Sequence, residues 1–176
     1  MSFSLYGCSI PVFIHSLNNL SGLLEHAEKH SLAHGIDEDV LTSSRLYPNM
    51  LPLTKQVQIA CDIVKLAAAR MADVTPPIHA DNETTFTQLK ARVESTKTFL
   101  NTILPEHIKG AEDKTIVMQA GPHQLTFNGT DYVNCWALPN LYFHVATAYN
   151  ILRHNGVSLG KADFLGVSAF KTTPAQ

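Results

Sequence analysis

Apolar or small side chains recur at Ile10, Phe13, Leu17, Leu20, Leu24, Ala27 and Ser31, in alternating steps of three and four residues. An α-helix, at about 3.6 residues per turn, brings those positions onto one stripe, and the stripe needs another element to cover it. Gly35 is the natural stop, because glycine accepts the left-handed conformation that closes helices. Pro11 is expected near the start, where a missing N–H matters least.

The pattern returns. After a turn-rich linker over 36–50, a second helix is expected from about Leu51 to Ala72, with Pro52 in its first turn. Leu53, Val57, Ala60, Val64, Ala67 and Met71 form one face, and Ile59, Ile63 and Leu66 form another. A helix apolar on two sides belongs at the centre of a fold or against another chain. Pro76-Pro77 makes the segment from Val74 to Asp81 a rigid, extended connector. A third helix, about Asn82 to Leu104, carries Phe86, Leu89, Val93, Thr96, Leu100 and Ile103 in the same register, and Pro105 ends it.

Two β-prone runs, Thr115–Gln119 and Gln124–Asn128, flank Ala120-Gly-Pro-His123 and predict a hairpin. An isolated hairpin is marginal in water, so it must lie against helices. The fourth helix is expected from Asp131 to Asn155, capped by Thr130, loosened at Pro139 and closed by Gly156. In the tail, Phe164, Leu165 and Phe170 suggest packing across the other helices. The chain therefore reads as an all-α, up-down four-helix bundle with a small hairpin inserted before the last helix. One domain is expected over residues 1–176.

Composition excludes several functions. With 45% hydrophobic and 16% charged residues, the chain is not disordered. A net charge of −2 without a basic stripe speaks against nucleic-acid binding. Cys8, Cys61 and Cys135 lie far apart, which fits reduced thiols in a cytoplasmic protein. The first 24 residues hold no charge unless His15 is protonated, but Pro11, Asn18 and Asn19 break them as a signal or membrane segment. There is no phosphate loop, dinucleotide-binding glycine pattern or nucleophile elbow.

The chemistry concentrates on the fourth helix. His144 shares a face with Ala137, Leu141, Ala148 and Ile151, and Asn140 stands one turn before it. A histidine there is either a hydrogen-bonded core residue or a ligand or general base with a near-neutral pKa. Asn140 and, across the bundle, Gln56 are its expected partners. His26, His30 and His34 repeat every four residues beside Glu25, Glu28 and Lys29, and read as a solvated stripe. Cys61 and Cys135 read as inert thiols rather than nucleophiles.

Several stretches carry a family resemblance: Ser4-Leu-Tyr, Pro52-Leu-Thr-Lys-Gln-Val-Gln-Ile-Ala, Glu83-Thr-Thr-Phe, Leu138-Pro-Asn-Leu-Tyr-Phe-His144, Ile151-Leu-Arg-His-Asn-Gly-Val157 and Gly160-Lys-Ala-Asp-Phe-Leu-Gly166. Nearly the whole chain resembles the DinB/YfiT-like bundle proteins, within a bacterial subfamily known only as a domain of unknown function. The resemblance implies a divalent-metal site of three histidines. One lies on helix two, and two are spaced by four on helix four, the second nine residues before the arginine of a Leu-Arg pair. Counting back from Arg153 gives His144, but Asn140 stands where the other ligand is implied, and helix two offers Gln56 and Gln58. Amides are poor ligands for zinc-like ions. His15, His123, Asp62 or Asp131 would have to complete a site.

The expected function is a binding or accessory protein with a partly lost metal pocket. Its ligand pocket is His144, Asn140, Gln56, Gln58 and His15, with His144 the one candidate ligand for zinc or nickel. A small-molecule ligand and a homodimer through helix faces are the expected partners. The rivals are a metal-dependent transferase or hydrolase using His144, and a purely structural protein.

Overall fold

The computed structural model describes residues 4–166. Its long helices are α1 (Leu5–His34), α3 (Leu53–Ala72), α4 (Phe86–Asn101) and a composite last helix. That helix runs as α5 (Gly129–Asp131), a π-helical turn (Tyr132–Ala137) and α6 (Leu138–His154). Short helices α2 (Glu38–Thr42) and α7 (Lys161–Leu165), a 3-10 turn (Pro105–Ile108) and the strands β1 (Ile116–Ala120) and β2 (His123–Phe127) complete the fold. Every residue of the four apolar seams is buried, His144 included. The apolar ones form one core.

Polar contacts fix the helix directions. Thr54 Oγ1 donates to the Thr42 carbonyl (3.1 Å), and the Phe86 N–H donates to the Glu38 carboxylate (2.7 Å). The starts of α3 and α4 therefore both lie at the end of the bundle where α1 finishes. The last helix runs against α3, since Gln56 meets His144 near one end and Arg70 meets Tyr132 near the other. The helices of this bundle thus run up, down, down and up. Because α3 and α4 point the same way, residues 73–85 must climb back along the bundle. The 20 residues of α3 span about 30 Å, and an extended segment of this length reaches about 40 Å. Extended, proline-bearing chain is what this return requires.

Several boundaries differ from expectation for local reasons. Helix α1 begins at Leu5 because the Ser4 hydroxyl accepts the Gly7 N–H (3.1 Å). Pro11 therefore lies inside the helix, and the carbonyl left without its N–H belongs to exposed Gly7. Helix α4 starts at Phe86, where Thr85 and Gln88 form a capping box. The last helix is capped by Asn128, not Thr130: Asn128 Oδ1 accepts the Asp131 N–H at 2.7 Å, while the Thr130 N–H binds the Glu112 carbonyl. Gly129 is obligatory, because a Cβ there would lie 1.8 Å from the Ala111 carbonyl oxygen.

Pro139 has no N–H to give, and the widened π turn lies immediately before it. The hairpin closes on Gly121, whose φ of 58° suits the first position of a two-residue turn. It rests on the bundle through Phe127, whose ring lies 5.8 Å from Tyr132 and 6.1 Å from Trp136. Helix α7 lies on α1, with the Asn19 amide donating to the Phe164 carbonyl (3.0 Å). Phe170 lies outside the described residues. Among the described residues, no helix is long and apolar enough to cross a membrane.

Candidate functional site

The pairing of Gln56 with His144 is fixed by a chain of donors and acceptors. The Leu51 carbonyl, freed where the chain enters α3, can only accept, so the Gln56 amide nitrogen donates to it (2.9 Å). That turns Gln56 Oε1 toward His144 Nδ1, 2.7 Å away. An amide oxygen also only accepts, so Nδ1 carries the proton. Nε2 of the neutral ring is left with its lone pair, and among the described residues it has no protein partner. Nor is it sealed: among the described residues, the buried, unpartnered side-chain atoms are Ser31 Oγ, Gln58 Oε1 and Arg92 Nε. His144 is 9% exposed, enough to present an edge. Burial holds its pKa below 6.5.

Asn140 shares this face, one turn earlier, and is half-buried. Its amide nitrogen donates to the Trp136 carbonyl (2.7 Å), which points its Oδ1 away from the helix backbone. Phe143, 56% exposed, sets its ring perpendicular to His144 with centroids 5.1 Å apart. His144 and Gln56 thus meet on the α3–α6 seam, with Asn140 one turn earlier on the last helix.

The other candidates stand elsewhere. Gln58 points to a different flank of α3, where its amide donates to Glu83 (2.7 Å). His15 Nε2 lies 3.0 Å from the Leu165 carbonyl, in a groove of about 420 Å³ shared with Ser16, Asn19, Tyr142, Val145 and Phe164. His26 and His34 are exposed, and His34 hydrogen-bonds the His30 carbonyl. Burial pushes the Cys61 thiol up to about 12, which makes it inert at neutral pH.

A second polar cluster escaped the sequence reading. Arg92 of α4, with a side chain 1% exposed, donates to Asp62 of α3 (2.9 Å) and to Glu83 (3.0 Å) and Asp81 of the 73–85 strap. Lys65 pairs with Asp62 (2.7 Å) and lies 3.2 Å from His79 Nδ1, while His79 Nε2 lies 3.2 Å from Ser95 Oγ. Hydrogen bonding by Arg92 holds the Asp81 carboxyl below its usual range. Burial alone would raise Glu83, but hydrogen bonds from its own backbone, Arg92 and Gln58 outweigh it and lower its pKa. His79 is lowered by burial, then by Lys65 and Arg92. The Lys65 ammonium can only donate to Nδ1, so His79 donates through Nε2 to Ser95. That polarity is the reverse of what an activated serine needs. The cluster is a clamp.

Among the described residues, no three His, Cys, Asp or Glu side chains converge as a metal-ligand set. The family described as "Domain of unknown function (DUF1993)" matches residues 5–165. A crystal structure of a DinB family member protein from Shewanella denitrificans is 37% identical, with 96% of each chain covered and a TM-score of 0.88. No curated protein matches the chain.

Proposed function

The chain belongs to the DUF1993 family of DinB-like bundles, and on that premise we propose that its α3–α6 seam is a small-molecule pocket retaining only part of the superfamily's metal site. The carrying observation is the 2.7 Å contact between His144 Nδ1 and Gln56 Oε1. A zinc-type ion wants imidazole, thiolate or carboxylate donors at about 2.0–2.3 Å, tetrahedrally placed. One imidazole nitrogen and two amides do not fit it: one amide oxygen already holds the histidine, and amide oxygens are poor donors to such an ion. What remains suits binding, with His144 as acceptor or proton carrier and Gln56 and Asn140 orienting it. The protein acts on this reading as a binding or accessory protein.

The same reading includes a homodimer, supported by the row Ile59, Ile63 and Leu66, half-covered on α3. It also includes the cytoplasm, supported by three free cysteines. The test is metal content. Protein purified and dialysed against buffer is expected to hold no stoichiometric zinc or nickel by elemental analysis. Stoichiometric metal that His144→Ala removes would overturn the partial-pocket reading in favour of a metal-dependent transferase or hydrolase.

A further inference from the structure

We infer that the α3–α6 seam takes a ligand group that is a positively charged N–H donor, an organic amidinium or ammonium, and rejects anions. The inference rests on the reading of the seam as a pocket and adds the chemical class of its ligand. It follows from which atoms are committed inward. Gln56 and Asn140 each turn their amide nitrogen to a backbone carbonyl, of Leu51 and Trp136. His144 gives its one proton to Gln56. The atoms left facing away from these bonds are His144 Nε2 and Asn140 Oδ1, both acceptors.

These two acceptors lie on one helix face one turn apart, where side chains are about 5–6 Å apart at Cβ. Beside them stands the exposed Phe143 ring, perpendicular to His144 with centroids 5.1 Å apart, an aromatic surface of the kind that favours a cation. A carboxylate or phosphate would set its own lone pairs against both.

The experiment uses full-length ¹⁵N-labelled protein and two probes of matched shape, benzamidinium and benzoate, with the His144 ring nitrogens and the Asn140 side-chain amide followed by NMR. Benzamidinium is expected to shift the Nε2 resonance saturably, and benzoate to leave it in place. Asn140→Leu, checked as folded by circular dichroism, is expected to weaken benzamidinium about tenfold, as loss of a hydrogen bond to a charged group does. Saturable shifts by benzoate at equal or higher affinity overturn the ligand class and leave the pocket reading standing. An unchanged benzamidinium affinity in Asn140→Leu overturns the two-acceptor arrangement. Silence of His144 toward both probes takes down the inference and the pocket reading together.

Discussion

Gln56 and Gln58 stand two residues apart on α3, and each anchors a polar cluster of opposite character. Gln56 reaches His144 in a cluster of neutral groups whose unused atoms face outward. Gln58 reaches Glu83 in a cluster of charges, where Arg92 is enclosed by Asp62, Asp81 and Glu83. The charged cluster draws its partners from α3, α4 and the strap and fastens the strap along the bundle, with Arg92 Nε and Gln58 Oε1 left buried and unpartnered. The neutral cluster is left with two acceptors, His144 Nε2 and Asn140 Oδ1, that no donor among the described residues fills. Buried charge without a partner is too costly to leave open, so this protein keeps charge where chain must be held. On the proposed reading, the neutral lone pairs are what a ligand meets.

Removing the centre of the charged cluster gives the largest expected effect. Arg92→Met leaves Asp62, Asp81 and Glu83 without their common cation, and a loss of about 3–5 kcal/mol is expected in urea unfolding. A loss under about 1 kcal/mol would mean the clamp does not hold the strap. Gln56→Leu strikes the neutral cluster. It strands the Leu51 carbonyl and the His144 Nδ1–H, at about 1–3 kcal/mol. The double variant Gln56→Leu/His144→Leu is expected to recover part of that loss, since both partners of one bond are gone. A double variant worse than the sum of the singles would contradict the pairing.

Acid acts on the two clusters in two pH windows. His79 and His144 are both held below 6.5, so the unfolded chain takes up protons first as pH falls. Their contribution is complete above 6.5 and drains as pH falls below it toward the folded values. Asp81 and Glu83, held below their ordinary 3.8 and 4.5, contribute above those values and lose that contribution as pH falls through the folded ones. A titration of unfolding midpoint is expected to show both losses, and Arg92→Met should shrink the lower one, leaving what the Glu83 backbone and Gln58 supply, while keeping the His144 share of the upper. A lower loss undiminished in Arg92→Met would detach the carboxylates from Arg92. The smallest effect is Phe143→Ala, expected within about 0.5 kcal/mol of the parent, with benzamidinium binding weakened. A large destabilisation would make Phe143 a core residue rather than a wall of the seam.

The bundle was legible because the seams repeat at the helical period, and a buried stripe leaves its spacing in the sequence whatever covers it. The end of the last helix was legible too, through His144 and its partner Gln56. Gln58 was told from Gln56 only by lying farther from the Leu53–Ala60 face: two residues rotate a helix by about 200°, so a small register error exchanges its flanks. The clamp left fainter traces, since residues 62, 81, 83 and 92 come from three segments with no common interval. One signal was present. Arg92 falls three residues after Leu89 and four before Thr96, on the apolar stripe of α4. A charge in that place requires buried partners. The acidic residues around a proline-bearing connector, Asp81 and Glu83, were the available ones.

The account turns on where the proton of His144 resides. A two-dimensional ¹H–¹⁵N correlation of the imidazole rings at pH 7.5, assigned with His144→Leu, reads this directly. The account predicts a neutral ring with Nδ1 protonated and Nε2 bearing the lone pair, and loss of that tautomer preference in Gln56→Leu. A ring protonated on Nε2, with Nδ1 unprotonated, would contradict it and remove the acceptor on which the pocket depends.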